Sequence, residues 1–119
     1  MPATPAGELK DRIKFERPTV ARSTLGTNEI SGWTSLGFIQ SKVLYGTGSE
    51  RRQAGVENAT QSATFRCRAK NQTSTGTVVN TVLATDRIVF AGLNWDITGI
   101  ASLATNPPDI EFTAVASRG

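Results

Sequence analysis

Few residues in this chain suit covalent chemistry. Its 119 residues include no histidine and one cysteine, Cys67. Without imidazole there is no His-dependent triad, no imidazole general base and no His-ligated metal. A lone cysteine makes neither an internal disulfide nor a Cys-based zinc site. Asp109 and Glu111 stand two apart, the spacing that puts two carboxylates on one strand face. General acid work needs a pocket that raises one pKa, so the pair reads as a solvated outer face. Gly46-Thr-Gly48 lacks the third glycine and the Gly-Lys-Ser/Thr of a phosphate loop. Catalytic, cofactor-binding and metal-ligating residues are each expected to be none.

Cations are the more specific signal. Arg66, Arg68 and Lys70 alternate with Cys67 and Ala69. On a strand they point one way and form a basic face that suits an acidic partner or a nucleic acid backbone. Arg51 and Arg52 follow Glu50 in a second basic cluster. Residues 42–70 carry six basic and two acidic side chains, net +4, whereas 1–41 sum to +1 and 71–119 to −2. Nine of the 13 basic residues are arginine, whose planar fork suits carboxylates and phosphates.

The elements that position these residues are strands. Sixteen threonines and nine serines favour pleated, half-exposed backbone. Residues 1–8 read as a flexible N-terminal arm, with no basic n-region and no apolar h-region, so no secretory signal is expected. Residues 9–119 read as a single β-barrel domain. Its first strand alternates through Ile13 and Phe15 against Arg12, Lys14 and Glu16, and Pro18 is expected to end it. Residues 19–32 read as a loop. Trp33–Tyr45 forms a second strand, with Gly37 marking a bulge.

Residues 46–61 form a long loop whose only core candidate is Val56, with a helical turn feasible around Arg52–Asn58. Connections of this length without their own core tend to be functional or disordered. Ser62–Lys70 is a strand, and Val78–Leu83 has the spacing of a short helix. Two runs flank Gly92-Leu93, read as a type II′ turn that sets Phe90 opposite Trp95 and Ile88 opposite Ile97. Asp109–Ser117 is the last strand. The sum is an all-β fold, a small antiparallel β-barrel of five to six strands with one long loop and at most one short helix. Its expected core is Ile13, Phe15, Trp33, Ile39, Val43, Phe65, Cys67, Ile88, Phe90, Trp95, Ile97, Ile110 and Phe112. No stretch approaches the length of a spanning helix, so no membrane role is expected.

An ordered series of segments resembles the head–tail joining proteins of bacteriophages, the head closure or stopper family. The series runs Leu9-Lys-Asp-Arg-Ile-Lys-Phe-Glu-Arg-Pro18, then Gly32-Trp33-Thr34, Gly48-Ser49-Glu50-Arg51, Thr64-Phe65-Arg66-Cys67-Arg68 and Asp86-Arg-Ile…Gly92-Leu-Asn-Trp95-Asp-Ile97. Residues 71–85 are longer than that family's usual connection. The resemblance implies a non-enzymatic virion protein of the neck, assembled in the host bacterial cytoplasm. It would form a homo-oligomeric ring, sixfold or twelvefold, with an adaptor or portal ring above, a tail terminator or tail tube below, and packaged double-stranded DNA in its channel. No cofactor is implied. By position the gate loop holds Gly48, Ser49, Glu50, Arg51, Arg52 and Gln53. The competing class is a small SH3- or OB-like nucleic-acid-binding barrel that would use Arg66, Arg68 and Lys70.

Overall fold

A computed structural model describes residues 5–22, 26, 28–46 and 60–117. Six strands follow in chain order: β1 (Asp11–Arg22), β2 (Asn28–Tyr45), β3 (Thr60–Arg68), β4 (Arg87–Phe90), β5 (Leu93–Leu103) and β6 (Asp109–Ser117). All pairs are antiparallel, and the order β1-β2-β3-β6-β5-β4 closes back on β1 as a barrel. The closing seam is short: Lys14 opposite Val89, Phe15 opposite Ile88, and Glu16 opposite Arg87. Residues 69–86 connect β3 to β4 and contain one 3-10 turn, Val79–Thr81, where the sequence suggests a short helix. No helix among the described residues is long and apolar enough to cross a membrane.

Alternation builds the core. Ile13, Phe15, Phe65, Cys67, Ile88, Trp95, Ile97, Ile110 and Phe112 are buried, as their parity demands. Phe15 meets Phe112 edge-on at 5.2 Å between centroids, and Phe65 meets Trp95 at 5.4 Å. These are favoured quadrupole arrangements. Val79 and Val82 join the same cluster from the β3–β4 connection, while Ile39, Val43 and Phe90 pack against it half-buried.

The structure corrects four expectations. β1 does not stop at Pro18 but runs on to Arg22, and most of 19–32 is strand rather than loop. Pro18 lies past the point where β1 leaves β4, on a segment with one free edge, where proline is tolerated. Trp33 is not in the core. Gly37 pairs with Phe15, but Ser35 pairs with Glu16, so Leu36 is an extra residue. A one-residue bulge flips parity beyond it. Leu36 is therefore buried, and Trp33 moves to the outer face opposite Pro18.

The β4–β5 turn is Ala91-Gly92 rather than Gly92-Leu93. Both residues have positive φ, +54° and +75°, as in a type I′ turn. Phe90 thus opposes Leu93, and Ile88 opposes Trp95. The shift preserves parity, so the buried face is unchanged, and the Trp95 indole N–H donates to the Phe90 carbonyl at 3.1 Å. Lastly, β3 ends at Arg68, which leaves Lys70 in the following turn.

Candidate interaction surfaces

The expected basic face is the outer side of the β3–β6 ladder. Arg66 stands opposite Glu111 and Arg68 opposite Asp109. Arg66 forms a salt bridge with Glu111, and the Arg68 guanidinium donates to the Asp109 carboxylate at 2.7 Å. Asp109 is buried, and Arg68 supplies it with a counter-ion across the ladder; breaking such a buried pair is costly. The two acids that the sequence presents as a solvated pair are thus the counter-ions of the basic row. Lys70 is exposed. Cys67, between the two arginines, points inward, and burial pushes its thiol up to about 12, which leaves it unreactive. The expected gate residues Gly48, Ser49, Glu50, Arg51, Arg52 and Gln53 lie outside the described residues, as does the helical turn expected at Arg52–Asn58.

A second charged cluster covers the closing seam. Arg87 donates to Glu16 at 2.8 Å, and the Lys14 ammonium reaches the other Glu16 oxygen at 3.0 Å. Burial alone would raise the Glu16 pKa. The hydrogen bonds and charges of Lys14 and Arg87 prevail and hold it below its ordinary value. The Arg87 guanidinium also stacks over Trp33 at 3.9 Å, and that of Arg12 over Phe38 at 4.2 Å. Beside the seam, Arg17 grips buried Asp86 with Nε and Nη2, both at 3.0 Å, while Asp86 accepts the Leu83 N–H at 2.8 Å. This pair ties the β3–β4 connection to β1.

The connection also clasps β2 at its bulge. Gly37 has φ +98°. A Cβ there would lie 2.7 Å from Thr73 Oγ1 and 2.8 Å from the Thr75 nitrogen. Thr73 and Thr75 both donate hydroxyl protons to the Leu36 carbonyl, the latter at 2.7 Å. The Ser74 N–H donates to the Phe38 carbonyl at 2.9 Å, and the Phe38 N–H returns to Ser74 Oγ. The Thr73-x-Thr75 spacing is the signal in the sequence for this clasp.

Beyond Arg17, β1 and β2 pair with each other alone and leave the barrel as a two-stranded ribbon. Its second bulge lies between Thr19 and Val20, at Ser31, whose hydroxyl donates to the Thr19 carbonyl at 3.1 Å. Thr19 and Thr34 share a hydroxyl hydrogen bond at 3.1 Å on one face. On the other face, Val20 opposes Ile30, each 57 % exposed.

The fold has solved counterparts. A chain in the virion of a native gene transfer agent particle aligns with a TM-score of 0.65 at 19 % identity, covering 90 % of this chain and 93 % of that one. A protein of Shigella flexneri 2a, solved in solution, aligns with a TM-score of 0.60 at 20 % identity, covering 93 % and 95 %. At such identities the likeness is one of fold. No curated protein matches the chain significantly. The sequence profile of phage head completion proteins, however, matches residues 4–116. A profile match over nearly the whole length, on a barrel whose core residues occupy the expected strands, places the chain in the phage head completion protein family.

Proposed function

We propose that the chain is a structural subunit of the neck of a tailed-phage particle. Copies form a ring between the portal–adaptor complex and the tail, retain the packaged DNA and dock the tail. The observation that carries this reading is the family match over residues 4–116. In this reading the chain does no chemistry: the thiol of Cys67 is held protonated in the core, and the acids Asp109 and Glu111 serve as counter-ions. The β2–β3 loop, with Gly48, Ser49, Glu50, Arg51, Arg52 and Gln53, faces the channel. Arg51 and Arg52 from each subunit hold the DNA end by phosphate attraction. The outer face of β3 with Arg66 and Arg68, together with exposed Lys70 in the turn after it, meets a neighbouring neck protein.

The nucleic-acid-barrel alternative is weakened by the same pairs. Two of its three cations already engage carboxylates across the β3–β6 ladder. DNA retention in tail-less heads carrying Arg51→Ala and Arg52→Ala tests the gate. The expected outcome is DNA loss that grows with salt; heads as full as wild type would remove both arginines from the gate.

A further inference from the structure

A continuous strip of cations and aromatic rings runs over the outside of the closing seam. Arg12, Lys14 and Glu16 alternate on the outer side of β1, with Phe38 and Trp33 beside them on β2. Arg87 stacks over Trp33 and bonds Glu16, and Glu16 bonds Lys14. Lys14 and Arg12 both lie over the Phe38 ring, at 5.9 Å and 4.2 Å from its centroid. The strip faces away from the core, and Phe38 stays 40 % exposed.

The two ends of the strip differ in charge. At the Trp33 end, Glu16 neutralises Arg87, and Asp96 stands opposite Arg87 on β5. The Phe38 end is positive. Arg17, Arg66, Arg68 and Arg87 each hold a carboxylate. Arg12 is exposed and, among the described residues, holds none; its cross-strand neighbour is Gln40. Stacking over Phe38 engages the π face of the guanidinium. It leaves the in-plane N–H fork open, the geometry that a carboxylate meets with two hydrogen bonds.

We infer that the Phe38 end of this strip binds an acidic segment of a different neck protein, with a carboxylate in the Arg12 fork and an apolar side chain against Phe38. The inference rests on the neck reading above and names one contact within it. Charge selects the partner. A second copy of this chain carries the same net +3. Its described acids are mostly ion-paired, and Asp11, Glu29 and Asp96 stand singly on three different strands, so its described surface offers no acidic cluster to match the site. A nucleic acid fits less well. Base stacking needs an open ring face, and Arg12 lies over that of Phe38. A phosphate backbone laid along the strip would also meet Glu16, a charge of its own sign.

Photocrosslinking in whole particles tests this. The photoreactive residue p-benzoylphenylalanine replaces exposed Gln40, and peptides crosslinked in irradiated particles are sequenced by mass spectrometry. The expected product joins this chain to another virion protein, within a segment of net negative charge. Adding Arg12→Gln should lower its yield, per copy of the chain in the particle, by about tenfold, as when a charge-assisted pair loses one charge. Should the Gln40 variant be left out of particles, the same probe at Phe38 gives the same readout. Crosslinks to a second copy of this chain, to DNA or to a basic segment would overturn the inference. So would a yield indifferent to Arg12→Gln, or no crosslink from either position in particles that contain the chain. Absence of the wild-type chain from purified particles would overturn the neck reading itself, a separate result.

Discussion

The β3–β6 pair and the β1–β2 pair are built on opposite plans. β3 and β6 run in unbroken register from Thr60 opposite Ser117 to Arg68 opposite Asp109. Every inward position between Ala63 and Cys67 is buried, and the outer positions are cross-linked by arginine–carboxylate pairs. β1 and β2 break register twice, at Leu36 and at Ser31. The first break is held from outside by threonine hydroxyls, and beyond the second the strands carry exposed Val20 and Ile30. A regular ladder pairs its own charged side chains across the strands. A bulged one re-aims its side chains, and here it aims apolar groups away from the core. Regular pairing and exposed apolar surface are thus divided between two parts of one sheet.

The sharpest way to break this division is in the core. Trp95 is fully buried against Phe65, and Trp95→Ala is expected to cost about 3–5 kcal/mol in denaturant unfolding, the usual range for truncating a buried large aromatic. A cost below about 1 kcal/mol would show that the regular half does not carry the fold. Next is the clasp. Gly37→Ala combines a left-handed φ with a Cβ less than 3 Å from Thr73 and the Thr75 backbone. An expected loss of about 2–4 kcal/mol follows from backbone strain plus displacement of the clasp. If Gly37→Ala is neutral, the bulge is not held from outside.

The seam cluster predicts a pH dependence. Glu16 has its folded pKa below the unfolded value, so its contribution is present at neutral pH and is lost as pH falls through the folded pKa. Glu16→Gln should therefore be less stable than wild type by up to about 1 kcal/mol at neutral pH. The gap should close below the usual carboxylate range, as read from thermal unfolding at a series of pH values. A gap that widens in acid would reverse the sign. The smallest effect belongs to the ribbon. Val20→Asp and Ile30→Asp should each leave monomer stability within about 0.5 kcal/mol, as exposed positions do. A larger loss would show that the ribbon supports the barrel and would blur the contrast.

Much of the regular half was legible in the sequence, because strict alternation has one solution. The inward set Phe65, Cys67, Ile110 and Phe112 needs only period two. The irregular half was not legible. Gly37 signals a bulge, but which neighbour becomes the extra residue depends on a clasp from Thr73 and Thr75, 36 or more positions away. That choice moved Trp33 from core to surface. The serine- and threonine-rich stretch after Pro18 reads as loop by composition, and only its pairing across the ribbon makes it strand. The basic row was found, but its acids lie more than 40 residues later, on a strand whose register against β3 local patterns do not fix.

The closing seam has a temporal consequence. It joins positions 71 to 75 apart in sequence, from Glu16 opposite Arg87 to Lys14 opposite Val89, through only three facing residue pairs, with the Arg17–Asp86 bond beside them. Loop-closure entropy must be met before so distant a contact yields any return. The β1–β2 hairpin and the β4–β5 hairpin can each nucleate locally, but the circle cannot be completed until the 69–86 segment has folded over the bulge and delivered β4. Closure is thus a late event in folding, and the same three pairs are the natural first place for the barrel to breathe. Amides of β4 should exchange with solvent sooner than those along β3, so a transiently open sheet, rather than a globally unfolded chain, is the state in which β1 and β4 offer new edges.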